Sequence, residues 1–277
     1  MKTPSIFLIA VLLFASTPLS AATAATNPED IVRQDIAALS RNDVDALVAL
    51  FAEDAQVFSR PTDPRRLVGA LSTDLSGREQ MRRFLQPLAA KGPPDRYELI
   101  DMTSIGELVV ARLKITAPPD YARPAYSLVV YRVKDGLIHD LWHVARAESA
   151  SVLDNAPARA VIEQLVDANN RGDVDAFLAL FDRDARNLRR AEVPFRLSDE
   201  LSTRIVDHDS RGQVFRAMFA SGAPVQVEPI ETLVFGDLVI AREQATRPDG
   251  QVLDELSIYR VRDGRIVDDW FVAVVER

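Results

Sequence analysis

Near the end of each half of the sequence an acid sits between large apolar residues at strand spacing. The sets are Ile138, Asp140, Trp142 and Val144 in the first half, and Ile266, Asp268, Trp270 and Val272 in the second. Alternate residues of an extended strand share a face, so both carboxylates are expected among Ile and Trp. A carboxylate with apolar walls loses solvation, its pKa rises, and it can exchange protons with a substrate carbon or oxygen near neutral pH. Asp140 and Asp268 are the candidates for such a tuned acid, with Trp142 and Trp270 as ligand platforms. The alternative is structural: the acids accept backbone or indole hydrogen bonds or lie on a domain-pairing face, and the tryptophans pack. On the opposite face His143 falls where the second half has Phe271, so one site would be polar and the other plain. His143 is the natural partner of Asp140 if it faces a cavity; an outward face carrying both His139 and His143 is the competing reading. Metal binding is not expected. Residues 139 and 143 stand about 13 Å apart along a strand, and "DHD" (207 to 209) reads as a polar loop. No phosphate-cradling glycine loop, Ser-His-Asp order or nucleophile elbow is present.

These residues recur because the chain is duplicated. "RNDVDALVALFAEDA" from residue 41 matches "RGDVDAFLALFDRDA" from residue 171 at ten of fifteen positions. "GELVVAR" (106 to 112) returns as "GDLVIAR" (236 to 242), and "YRVKDGLIHDLWHVA" (131 to 145) as "YRVRDGRIVDDWFVA" (259 to 273). The period is a whole domain. Val44, Leu47, Val48 and Phe51, like Val174, Phe177, Leu178 and Phe181, lie at i, i+3, i+4, i+7 and predict a helix with one apolar stripe. Asp43 and Asp173 are placed to cap these helices. Further helices are expected near 28 to 40, 158 to 170 and 78 to 88. Short alternating runs then predict about four long antiparallel strands, with Asp-Gly at 135 to 136 and 263 to 264 in tight hairpins. The class is α+β, with helices on one face of a curved sheet.

Residues 1 to 25 read as a signal peptide: Lys2, the apolar run "IFLIAVLLFA" and an A-x-A shape at Ala22-Thr23-Ala24. A retained anchor is the alternative. The mature chain would begin near Ala25 and be soluble, periplasmic or secreted, with domains over 26 to 149 and 150 to 277. There is no cysteine, so disulfides and thiol chemistry are excluded and packed cores must supply stability. The formal charge of -8 becomes -9 without Lys2 (32 basic residues against 41 acidic), which argues against nucleic acid as a partner.

The segments "DVDALVALFAEDA", "SGREQMRRF", "GELVVAR" and "KDGLIHDLWHVA" resemble the SnoaL-like branch of the NTF2-like superfamily, and both copies carry the likeness. The resemblance implies two tandem cone-shaped domains, each a bent antiparallel sheet with helices closing an apolar cavity. It also implies pairing through outer sheet faces, here as an intramolecular pseudo-dimer, with further homo-oligomers open. Members include isomerases, dehydratases, epoxide hydrolases, polyketide cyclases and transport adaptors, so the fold does not select a reaction. Family enzymes use carboxylates with His, Tyr or Arg in the cone. That suggests Asp140 and His143 as a catalytic pair, with Tyr126, Tyr131, Trp142, Asp268 and Trp270 as ligand contacts. The leading expectation is a cofactor-free protein holding a small, mainly apolar molecule. An acid/base isomerase, cyclase or dehydratase, and an interaction module with filled cones, are the alternatives.

Overall fold

The computed structural model describes residues 27–119, 123–220, 222 and 225–277. The expected signal segment lies outside them. The first domain runs α1 (Pro28–Arg41), α2 (Val44–Ala49), β1 (Phe51–Phe58), α3 (Arg78–Ala89), β2 (Arg96–Ile105), β3 (Leu108–Thr116), β4 (Pro124–Lys134) and β5 (Leu137–Ala147). The second repeats the order as α4 (Ala156–Asn170), α5 (Val174–Ala179), β6 (Phe181–Leu188), α6 (His208–Ala220), β7 (Gln226–Phe235), β8 (Leu238–Thr246), β9 (Val252–Arg262) and β10 (Arg265–Glu276). Both are α+β. Asp43 and Asp173 cap α2 and α5 by accepting the N–H of Ala46 and Ala176, each at 3.0 Å, which satisfies free donors at the helix start.

Each sheet has five strands, in the orders β1-β5-β4-β3-β2 and β6-β10-β9-β8-β7. The long strands are antiparallel, while the short first strand runs parallel to the last. At the β4–β5 and β9–β10 hairpins Asp135 (φ 52°) with Gly136 (φ 76°), and Asp263 (φ 50°) with Gly264 (φ 73°), adopt the left-handed pair that a two-residue turn demands.

A bulge beside these turns changes which residues share a face. Val133 pairs with Ile138, but Arg132 pairs with Asp140, so His139 is the extra residue. Val261 with Ile266 and Arg260 with Asp268 repeat this around Val267. An inserted residue flips the parity of everything before it. Ile138 therefore packs under the helices with Leu141, while Asp140, Trp142 and Val144 take the other face.

The two faces of each sheet have different partners. The concave faces are covered by their own helices, through Val32, Ile36, Val109 and Val129 in the first domain and Ile162, Val239 and Val261 in the second. The outer faces meet each other. Leu108, Val110, Leu128, Val130 and Trp142 join Leu238, Ile240, Leu256, Ile258 and Trp270 in one continuous core between the domains. Each fully buried aliphatic side chain there contributes about 1.5–3 kcal/mol, so this seam is a principal source of stability.

Candidate functional site

The first cone encloses a cavity of about 220 Å³ between α1, α2, α3 and the concave sheet face. Leu47, Phe51, Met81 and Val129 give it apolar walls; the polar groups are Asp35, Tyr97, Ser127, Tyr131 and His143. Asp35 lies on the buried stripe of α1 with Ile31, Val32, Ile36 and Ala38, and is 1 % exposed. Its Oδ2 accepts the Tyr131 hydroxyl at 3.1 Å, while its Oδ1 accepts no hydrogen bond from the described residues. Burial pushes the Asp35 carboxyl up to about 7, against a smaller lowering by the Tyr131 bond.

The neighbours keep definite protonation states. Burial, then the charge and hydrogen bond of Asp35, raise Tyr131 well above the ordinary phenol range, so it remains a donor. His143 is lowered by burial and by Arg146, which favours the neutral imidazole. Tyr97 is raised, chiefly by burial. The cavity thus holds one carboxyl that can gain or lose a proton near pH 7, a phenol fixed on it, and a neutral imidazole in the same wall.

The second cone is larger, about 560 Å³, and its carboxylates come from the sheet. Glu243 on β8, Glu255 on β9 and Asp269 on β10 all line it with Tyr259. Burial, then Glu255 and Asp269, push Glu243 up to about 7. Asp269 is raised by burial to about 6, against lowering by Arg211 and by Asn187, whose amide donates to it at 2.9 Å. Glu255 is raised by burial, with Arg247 opposing.

Of the residues expected in the cones, Tyr131 and His143 line the first cavity. Asp140, Trp142, Tyr126, Asp268 and Trp270 line neither cone and lie on the interdomain face, which corrects their assignment as catalytic or ligand contacts. Asp140 accepts from Arg132 at 2.5 Å and pairs with Arg196 of the second domain at 3.3 Å. Asp268 pairs with Arg260 and Arg186, each at 2.6 Å, and with Arg65 of the first domain at 3.9 Å. Each carboxylate binds arginine of its own domain and one arginine across the seam, in keeping with the domain-pairing alternative. Trp142 stacks on Phe58 at 5.6 Å, and Trp270 lies under Arg260 at 4.9 Å. Asp207 of the "DHD" segment caps α6 by accepting the Ser210 N–H at 2.8 Å, a structural task.

Asp35 was missed because it is single in the repeat. Its counterpart in the second copy is Leu165, and a lone charge inside an apolar helical stripe was the available signal. The acids of the second cone replace apolar or small residues in the same way: Glu243 stands for Leu113, Glu255 for Ser127 and Asp269 for Leu141.

A SnoaL-like domain family model matches the sequence twice, over residues 32–141 and 162–269. Among solved structures, a SnoaL-like protein of unknown function from Burkholderia thailandensis is 20% identical over 45% of this chain and 98% of its own, with a TM-score of 0.34. An NTF2-like protein of unknown function from Burkholderia xenovorans is 20% identical over 43% and 82%, with a TM-score of 0.34. A polyketide cyclase candidate from Sinorhizobium meliloti is 27% identical over 40% and 91%, with a TM-score of 0.32. No curated protein matches the sequence.

Proposed function

The chain belongs to the SnoaL-like family, and on that premise we propose that its first cone holds a small, mainly apolar molecule anchored by one polar group. The observation that carries this reading is the free Oδ1 of Asp35 inside an apolar cavity of about 220 Å³. An apolar cavity of roughly 150 Å³ takes up benzene, so this one suits a single substituted ring. A hydroxyl or carbonyl on that ring would meet Asp35, as acceptor or as protonated donor, and His143 offers a second polar contact.

A second reading is acid/base catalysis at the same carboxyl, favoured by its pKa of about 7. Asp35 would take a proton from a carbon or hydroxyl and return it, with Tyr131 stabilising the carboxylate between the steps. Export by residues 1 to 25 and an internal pseudo-dimer that leaves both cones accessible complete the proposal.

Native mass spectrometry of the purified chain, looking for a retained small molecule, tests the first reading. Asp35→Asn and His143→Phe should each release it or weaken its binding about tenfold, as expected for loss of one buried hydrogen bond to a charged or polar partner. Retention unchanged in both variants would remove the first cone from consideration. Turnover of carbonyl or hydroxy substrates that survives Asp35→Asn across pH would remove catalysis alone.

A further inference from the structure

The second cone carries more buried acid than its described surroundings neutralise. Glu243, Glu255 and Asp269 reach it from three adjacent strands, and Glu243 and Glu255 are direct cross-strand partners, where like charges repel. Asp269 has the Asn187 amide and the field of Arg211, and Glu255 has the field of Arg247. Glu243 has no such relief. It is 8 % exposed, its carboxylate makes no hydrogen bond or ion pair with a described residue, and the charges acting on it are two further carboxylates. A buried carboxylate in that position is strongly disfavoured unless it meets a cation or takes up a proton.

The rest of the cavity indicates which cation. Phe177, Phe215 and Tyr259 line it, beside Phe181, whose ring already carries the Arg211 guanidinium at 5.2 Å, and aromatic faces attract organic cations better than small hydrated ions. Among the described residues no group of three or more His, Asp or Glu is arranged to hold a metal ion. Three arginines border the cavity. Arg189 is ion-paired with Glu200, while Arg190 and Arg204 are solvent-exposed, so water and salt screen them far more than the acids within.

From this geometry we propose that the second cone is an amine site: it takes a protonated amine on an aryl or alkyl body, with the nitrogen at Glu243 and Glu255 and the body against the aromatic walls. The proposal stands apart from the reading of the first cone, because none of these residues belongs to that domain.

Titration calorimetry and thermal shift on the full chain test it, with 2-phenylethylammonium and 4-phenylbutylammonium compared with the matching alcohols at about pH 8, above the value of about 7 to which Glu243 is raised. The amines should bind at least about tenfold more tightly than the alcohols, and Glu243→Gln should abolish that difference. The same variant should raise the melting midpoint of the ligand-free protein, since it removes a buried repulsion and keeps the side-chain volume. Alcohols binding as well as amines, no binding by either amine, or amine affinity unchanged in Glu243→Gln would each overturn the proposal. So would Ca²⁺ or Zn²⁺ protecting as strongly as the amines, or a lower ligand-free midpoint in Glu243→Gln, which would reveal a partner for the carboxylate.

Discussion

Replacing Asp35 by asparagine should change the pH dependence of stability in one direction and by a known order. In the unfolded chain this carboxyl titrates near its ordinary value of 3.8, and in the folded protein near 7. Below about pH 4 both states hold the proton and the group contributes nothing. Between the two values the folded state keeps a proton that the unfolded state releases, so rising pH favours unfolding. Above pH 7 the penalty is complete, and about 3 pKa units correspond to an upper bound of about 4 kcal/mol. The amide introduced by Asp35→Asn does not titrate, and its oxygen can still accept the Tyr131 hydroxyl. The variant should therefore match the wild type near pH 4 and gain on it steadily to pH 8. Urea unfolding followed by tryptophan emission measures this directly, since Trp142 and Trp270 are 1 % and 2 % exposed and both lie in the interdomain core. Glu243 and Asp269 titrate in the same window but in the other domain, so they cancel in the difference between the two proteins. A difference that stays constant from pH 4 to 8, or a variant less stable at pH 8, would mean that Asp35 is ionised and paired in the fold, and the reasoning would fail.

Two further outcomes test the seam between the domains. Asp199 accepts the N–H groups of Leu67 and Val68 at 2.9 and 3.0 Å and the Trp270 indole at 3.1 Å, so Asp199→Ala should cost about 2–4 kcal/mol in urea unfolding, with Asp199→Asn losing less. A loss below about 0.5 kcal/mol, the level of an ordinary surface change, would contradict that role. Residues 150–277 expressed alone should self-associate through the bared face of Leu238, Ile240, Leu256 and Ile258, and light scattering reporting a stable monomer would refute the shared core.

The helices, the strands and the duplication were legible in the sequence because each depends on local periodicity. The helical spacing of Val44, Leu47 and Val48, the aspartate caps and the Asp-Gly turns need no distant partner to be recognised, whereas the last position of the stripe overshoots: α2 and α5 end at Ala49 and Ala179, and Phe51 and Phe181 open β1 and β6. The faces were not legible near the last strand, because a single bulged residue, His139 or Val267, decides which parity points inward and leaves no mark in composition. His143 and Tyr131 in the first cone were within reach of alternation counted from the far side of that bulge. Asp35 needed the contrast between copies, since only Leu165 at the equivalent point shows that an acid there is not required by the fold.

That contrast also explains why repetition misdirected attention to Asp140 and Asp268. Two copies whose outer faces share one core must present fitting surfaces to each other, so the pattern on that face is held by mutual fit. Asp140 with Arg132 and Asp268 with Arg260 are the two halves of one such arrangement, although the arginine that reaches each across the seam differs: Arg196 on Asp140, but Arg65 on Asp268, with Arg66, the counterpart of Arg196, on Asp199. Even there the symmetry is broken where geometry forces it: Asp199 serves the Trp270 indole, whereas Gly69 stands at the equivalent point and the Trp142 Nε1 is left without a partner among the described residues. No partner surface constrains the cones. In the first, the acid comes from α1; in the second, Leu165 stands at that helical position and three strands supply acids instead. A duplicated pocket protein thus carries its scaffold in what the copies share and its chemistry in what they do not, and the positions that differ, 35, 113, 127, 141 and 143 against their counterparts, are where two distinct ligands would be told apart.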